Sequence, residues 1–237
     1  MKKKYLDIYN ELVMSIRDGS FKAGERLPSE HELCVRYDTS RETIRKALHL
    51  LAQNGYIQKV RGKGSIVLDS DKYEFPVSGL TSFKELTNQS GQQIQTKVHE
   101  LYLLEPDRKL AELLDNTEKV PIWRVVRSRN IDGEKVILDK DYIRQDIVPG
   151  LTKTICEDSL YEYIENKLGL AISYAKKEIV VEPVSEEDRE LLDVNNHDQM
   201  VVIRSFVYLE DTTLFQFTES RHRPDKFRFV DFARRSK

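Results

Sequence analysis

Arg127 and Arg129 stand two residues apart in "VPIWRVVRSRNIDGEKVILDKDYI", a stretch rich in β-branched residues. Side chains on a strand alternate between faces, so both guanidiniums leave the same face. Two planar forks side by side suit a phosphate or a carboxylate, although a solvated strand face is the plainer reading. Asp139 and Asp141 share the spacing. They read as an acid/base pair or, more commonly, as two carboxylates on an exposed sheet face. In "GLTSFKEL", Thr81 and Ser82 begin a short predicted helix whose free N–H groups would attract an anion, which favours the clamp. A second set of charges lies in "TSRETIRKALHLL". Ile44, Leu48 and Leu51 form an apolar stripe, and Arg41 and Arg45 lie one turn apart away from it.

Other chemistry is excluded by spacing. The chain has no Ser/His/Asp or Cys/His pairing in a motif context, no His-Glu-x-x-His and no Walker-type phosphate loop. His99, His197 and His222 are scattered, as structural histidines are. Cys34 and Cys156 are far apart and lack zinc-ligand spacing, so no metal, no cofactor and no catalytic activity are expected. No apolar run approaches the ~20 residues of a membrane span, and the basic start is not followed by an apolar segment. A cytoplasmic protein with no membrane partner is expected.

The elements that must position these residues divide the chain. Among 237 residues the net charge is −2, but its distribution is uneven. Residues 1–68 hold 13 basic and 8 acidic side chains, and the remainder holds 25 and 32. A basic head on an acidic body points to a nucleic-acid module joined to something else. The polar stretch "LDSDKYEFPVSG" places a linker at residues 69–75, between a head at 1–68 and a body at 76–237.

The head reads as three helices and a hairpin. The first presents Leu6, Tyr9, Val13 and Ile16 and stops at Gly19. Ser29 with Glu32 completes a capping box for the second, which turns Leu33 and Cys34 inward. Thr39 or Ser40 caps the third. "YIQKVRGKGSIVL" then alternates Ile57, Val60, Ile66 and Leu68 around a tip of Arg61, Gly62, Lys63 and Gly64, where glycine permits positive φ. This order predicts a winged helix-turn-helix with Arg41 and Arg45 at the groove-contacting half of its third helix.

The body alternates strands and short helices. Two hairpins are expected, one at Asp132-Gly133 and one within "MVVIRSFVYLEDTTLFQFTESRHR". Helices are expected over "SFKELTNQSG", "DRKLAELL", "SLYEYIENKLG" (Leu160, Ile164 and Leu168 inward) and "SEEDRELL", and "FRFVDFARR" is predicted as a closing strand. The pattern is that of an α+β domain on an antiparallel sheet.

The stretch "RLPSEHEL…YDTSRETIRKALHLLAQNGYIQKVRGKGSIV" resembles the DNA-binding domain of the GntR family of bacterial repressors. The resemblance implies operator contacts from Arg41, Thr43 and Arg45 on the helix and from Arg61, Gly62, Lys63 and Gly64 on the wing. His31 stands where the family often has Arg. The body is similar to the effector domain of the HutC subfamily, with its chorismate-lyase-like (UTRA) fold. In sugar-phosphate-responsive members, the residues matching Thr81, Ser82 and Phe83 and those matching Arg127 and Arg129 hold the phosphate. Ser159 and Tyr161 match pocket-lining residues, and Gln216 and His222 stand where relatives often carry Glu and Tyr facing the sugar. "PVSGLTSFKEL", "ILDKDY" and "DKFRFVDFARR" resemble the trehalose-operon branch of that subfamily. That branch implies a homodimeric repressor, operator DNA as partner and trehalose 6-phosphate as inducer, acting through head spacing. The rival expectations are a repressor answering an amino-sugar phosphate and a lyase-like enzyme.

Overall fold

The computed structural model describes residues 4–68, 94–116 and 120–229. They fall into two compact units, 4–68 and 94–229. The expected linker at 69–75 and the expected helix in "SFKELTNQSG" lie outside the described residues, as do Thr81, Ser82 and Phe83.

In the first unit, α1 (Lys4–Arg17) buries Ile8, Leu12, Val13 and Ile16. Leu6 is exposed and Tyr9 only half-buried, so the buried stripe is rotated from the expected one. The i, i+4, i+8 row from Ile8 wins because it is apolar at every step. Helix α2 (Glu30–Tyr37) carries the expected capping box. Glu32 N–H donates to Ser29 Oγ, 3.3 Å, and Ser29 N–H to the Glu32 carboxylate, 2.7 Å. Helix α3 (Arg41–Gln53) is capped by Ser40, which accepts from Thr43 N–H; Thr39 is not the cap. Ile44, Ala47, Leu48 and Leu51 pack inward, against α1 among others.

Strands β1 (Ile57–Val60) and β2 (Gly64–Val67) form the hairpin, with Ile57 opposite Val67 and Val60 opposite Gly64. The expected alternation is corrected in β2. Val67 is buried, while Ile66 and Leu68 are half-buried. The register places Val67, not Ile66, across from buried Ile57, and cross-strand partners share a face. Residues 24–27 lie along β2: Gly24 N–H donates to Val67 O and Leu27 N–H to Ser65 O, both 2.9 Å.

The second unit is built on a six-stranded antiparallel sheet, in the order β3-β4-β5-β8-β7-β6. Its strands are β3 (Ile94–Leu104), β4 (Ile122–Ile131), β5 (Glu134–Arg144), β6 (Ile172–Pro183), β7 (Gln199–Leu209) and β8 (Leu214–His222). Short helix α4 (Arg108–Leu113) follows β3, capped by Asp107. Asp132 (φ 52°) and Gly133 (φ 94°) form the tight turn between β4 and β5; two positive φ values match the right-handed strand twist.

Two cores lie on opposite sheet faces. Val125, Ile143 and Val207 pack under α5 (Lys153–Asp158) and α6 (Leu160–Glu162) through Cys156, Leu160 and Ile164. Val126, Leu138 and Val202 pack under Leu191 and Leu192 at the end of α7 (Glu186–Leu191). The helix expected over "SLYEYIENKLG" is shorter than expected, because α6 widens into a π turn at Tyr163–Lys167. Ile164 is still fully buried, while Leu168 is half-buried. The expected closing strand is not formed at residues 227–229, which follow a 3₁₀ turn at Pro224–Lys226; its remainder lies outside the described residues.

Helix α7 is held by charge as well as by its apolar side. Asp188 is fully buried, completes a capping box with Ser185, and accepts from Arg221 Nε at 2.9 Å. Arg221 also reaches Glu182 and the Pro183 carbonyl, each at 2.9 Å. Removing one partner strands a buried charge, at a cost of about 3–5 kcal/mol. Asp188→Ala should therefore lower the urea midpoint by that equivalent, whereas Ser185→Ala should cost only about 1 kcal/mol. Equal, small effects of both in equilibrium denaturation would contradict this role.

Candidate functional site

Two surfaces collect the residues singled out from sequence. On the first unit, Arg41 and Arg45 are exposed on the N-terminal half of α3, with Thr43 half-buried between them. Thr43 Oγ1 lies 3.0 Å from Ser40 Oγ, which holds the hydroxyl at the helix start. Arg45 is tethered, its Nε donating to Glu30 at 2.9 Å. Lys46 pairs with Glu42 one turn back, at 2.8 Å. An open groove runs beside this face, lined by Thr43, Arg45, Lys46 and His49 together with Lys4 and Lys59. Lys4 Nζ donates to the Asp38 carbonyl at the end of α2, 2.7 Å.

The wing tip is set by two glycines. Gly62 has φ +78° and Gly64 φ +87°, and Lys63 N–H donates to Val60 O at 3.0 Å. A Cβ on Gly62 would meet nothing, but one on Gly64 would lie 2.9 Å from Arg26 Nε. Arg61 and Lys63 are exposed on either side of Gly62. His31 is exposed on α2. The first unit thus carries exposed cations both at the start of α3 and at the hairpin tip, residues of the kind that contact DNA phosphates.

On the second unit, Arg127 and Arg129 do share a face, but not a solvated one. Both are buried, as are Asp139 and Asp141. Sheet register explains why. Arg127 lies across from Asp139, which in turn lies across from Ser220, and Asp141 lies across from Thr218. Arg127 Nη2 donates to Asp141 at 2.5 Å and its Nη1 to the Cys156 carbonyl at 3.2 Å. Arg129 donates to Asp139 at 2.9 Å and to Thr96 Oγ1 at 2.5 Å. Thr218 and Gln216 donate to Asp141 at 2.8 and 2.7 Å, and Ser220 to Asp139 at 2.5 Å. The reading of Asp139 and Asp141 as exposed carboxylates is thus corrected: their strand is central in the sheet, and α5 and α6 pack on that face.

Hydrogen-bond logic fixes the state of His222. An ionised Asp139 only accepts, so the Ser220 hydroxyl must donate to it. The oxygen is then free to accept from His222 Nε2, 2.9 Å away. Burial pushes the His222 pKa down to about 4, so the ring is neutral at pH 7. Burial alone would raise the Asp139 pKa, but Arg129 and Arg127 overcome it and hold it below the usual value. Burial and neighbouring Arg127 lower Arg129 to about 10, which leaves it charged at neutral pH. Among the described residues, two polar atoms on this face have no partner: Arg127 Nε, a donor, and Gln216 Oε1, an acceptor. Ser159 is buried with its hydroxyl capping α6, accepting from Glu162 N–H at 3.2 Å. Half-buried Tyr161 follows it, its phenol pushed up by burial and by Asp141.

The structure thus brings Arg127, Arg129, Gln216 and His222 onto one polar face, with Ser159 and Tyr161 on the helix that packs there. Sequence reading missed Thr96, Thr218 and Ser220. A signal for two of them was present, because Thr218 and Ser220 fall at the period-two positions between Gln216 and His222 in "QFTESRH". Glu30, Arg26 and Lys59 were also missed around the α3 face, and they carry no local pattern.

Comparison with known proteins agrees with this division. The gntR family of bacterial regulatory proteins matches residues 4–67, and the UTRA domain matches residues 89–228. The chain is 61% identical to the HTH-type transcriptional regulator TreR of Bacillus subtilis (strain 168), over 99% of this chain and 98% of that protein. It is 26% identical to the HTH-type transcriptional repressor NagR of the same organism, over 98% and 95%. Among solved structures, the effector-binding domain of the B. subtilis trehalose repressor is 62% identical, with a TM-score of 0.56, covering 60% of this chain and 99% of that one. The possible transcriptional regulator YydK of B. subtilis subsp. subtilis str. 168 is 28% identical, with a TM-score of 0.80, covering 98% and 99%.

The partly buried, desolvated imidazole predicts a pH dependence. The unfolded chain takes up the His222 proton near pH 6.5, and the folded one only near 4. The unfolded state therefore binds more protons between these values, and stability falls as the pH drops from about 6.5 toward 4. Thermal unfolding across this range should show a shallower decline for His222→Gln than for wild type; parallel curves would place the imidazole in solvent.

Proposed function

We propose that this chain, which belongs to the GntR family of regulators and carries a UTRA domain, is a homodimeric transcriptional repressor released from its operator by a sugar phosphate, trehalose 6-phosphate. Repression of the TreR type rests on 61% identity along nearly the whole chain. Its relatives TreR, GmuR and NagR of B. subtilis are named as transcriptional regulators or repressors, and the chain is not an enzyme. Among the described residues no helix is long and apolar enough to cross a membrane.

The observation that carries the effector reading is the buried pair of arginines. Charged forks inside a fold are costly unless they are paired or await a charged ligand. Arg127 keeps an unpartnered Nε donor beyond its bond to Asp141. A phosphate ester brings about −1.5 to −2 charges at pH 7 and several acceptor oxygens. The Thr81-Ser82-Phe83 segment would complete the clamp with N–H donors, and Gln216, His222, Ser159 and Tyr161 would meet the sugar. Hydrogen bonds to charged groups contribute roughly 1.5–3 kcal/mol each, so removing the phosphate should cost at least tenfold in affinity.

On the head, Arg41, Thr43 and Arg45 would contact operator bases and phosphates, while Arg61, Gly62, Lys63 and Gly64 would contact the operator from the wing. Effector release requires only that the ligand prefer the state that does not bind DNA, with couplings of about 1–3 kcal/mol being usual.

Two measurements test this reading. In a salt titration on operator DNA, Arg45→Ala should lose roughly 1–3 kcal/mol of specific binding, and Gly62→Val should weaken binding more than it lowers the melting temperature, since Val does not readily hold φ near +78°. Wild-type affinity in both would remove helix and wing from the interface. In calorimetry, trehalose 6-phosphate should bind and free trehalose should bind far more weakly. Arg127→Ala would leave Asp141 buried and unpaired, so Arg127→Lys is the informative variant. It keeps the charge but loses the Nε donor, and should bind operator yet need at least tenfold more trehalose 6-phosphate for release. Comparable binding of the two sugars would sink the clamp.

A further inference from the structure

Arg45, on the exposed face of α3, is held by an acid that belongs to another helix. Its Nε donates to Glu30 Oε2 at 2.9 Å. Glu30 is the first residue of α2, and the Ser29–Glu32 capping box fixes that helix start. The pair therefore ties α2 to the DNA-facing side of α3. A second acid lining the same groove is different in kind, because Glu42 meets Lys46 one turn along its own helix. Lys4, Arg45, Lys46 and Lys59 line the groove beside these two acids, so the face stays positive. Glu30 does not cancel that face; it acts on one side chain.

An acid beside a DNA-contacting arginine opposes binding to every duplex, since it repels phosphates and competes with them for the guanidinium. The two kinds of contact do not suffer equally. A phosphate contact is charge on charge, and the neighbouring carboxylate offsets part of it. A contact to guanine O6 and N7 is made to neutral acceptors and depends mainly on where the N–H groups point. The bond to Glu30 uses Nε, so the terminal Nη1–Nη2 edge can still grip a base end-on. Holding Nε also fixes the plane of the fork, and less side-chain freedom is then lost on meeting a base. Glu30 thus weakens the sequence-blind share of Arg45 binding more than the sequence-reading share. A repulsive element of this kind raises discrimination while it lowers affinity.

We propose that Glu30 is a specificity-determining residue of the DNA-binding face: it competes with phosphates for Arg45 and orients the fork, so that Arg45 favours a base edge over the backbone of unrelated DNA. This rests on the reading of Arg45 as a base-contacting residue. Glu30 acts through Arg45 and is a positioning residue. The two side chains are 37% and 64% exposed, so solvent screening limits the effect to a few-fold in affinity.

The test titrates the full-length chain, at one fixed salt concentration, with two duplexes. One is enriched from a random-sequence pool by the wild-type chain; the other is its scrambled counterpart of equal length and base composition. Glu30→Gln keeps the shape and an oxygen acceptor for Arg45 but removes the charge. It should tighten the scrambled duplex about threefold and leave the enriched duplex no tighter than in wild type, so the ratio of the two affinities falls about threefold. In an Arg45→Ala background the same substitution should leave the ratio unchanged, because the side chain it acts through is gone. Thermal unfolding separates this from a purely structural role at the start of α2, which would lower the melting temperature and move both duplexes together. An unchanged ratio in Glu30→Gln overturns the proposal, as does an equal fall in the Arg45→Ala background. If Arg45→Ala alone keeps the wild-type ratio, the base-reading role of Arg45 itself fails, and the role of Glu30 fails with it.

Discussion

The pairing of Arg127 with Asp141 and of Arg129 with Asp139 is the constraint on which the second unit depends. Four buried charges survive inside a sheet only if every one is matched, since an unpaired buried charge costs several kcal/mol. Matching them requires β4 and β5 in one register, and β8 in register with β5 so that Gln216, Thr218 and Ser220 donate to the carboxylates. A slip of one residue would turn the ionic row to the opposite face, against the apolar core formed by Val126, Leu138 and Val202. Buried ion pairs are weak evidence for stability, but here they specify which face of the sheet meets which helices.

The opposite face repeats the device for a different end. Arg221 joins Asp188, Glu182 and the Pro183 carbonyl, and Arg204 reaches Glu182 and Glu178. Lys140 bridges Glu187 and Glu219. Of these, Arg221–Asp188 and Lys140–Glu187 fasten α7 to the central strands β8 and β5. One face is therefore charged and inward-facing around a polar site, and the other uses charge as an anchor for a short helix. Helices of six residues have little intrinsic stability and take it from such tertiary contacts.

Charges on the first unit obey a different economy. Arg45–Glu30 and Lys46–Glu42 are exposed pairs, worth about 0–1 kcal/mol in water. They hold the side chains near the α3 face and, on the proposed function, are weak enough to be exchanged for DNA phosphates. The same residue type thus serves as a fixed internal fork in one unit and as an exchangeable surface cation in the other, and burial alone makes the difference.

By itself the sequence determined the local features: the Ser29–Glu32 and Ser185–Asp188 capping boxes, the Asp132-Gly133 turn, the glycine-tipped wing and the period-two spacing that aligns Arg127 with Arg129. Each is set by residues within a few positions of one another, so side-chain chemistry and backbone sterics decide it. Tertiary structure alone decided which faces are buried. Spacing showed that Arg127 and Arg129 share a side, and that Asp139 and Asp141 do, but nothing local says that these sides coincide. That follows from the order of strands and from α5 and α6 closing over them. The rotation of α1, the one-residue change in the buried face of β2 and the tether from Glu30 to Arg45 belong to the same class, because each depends on a partner distant in the chain.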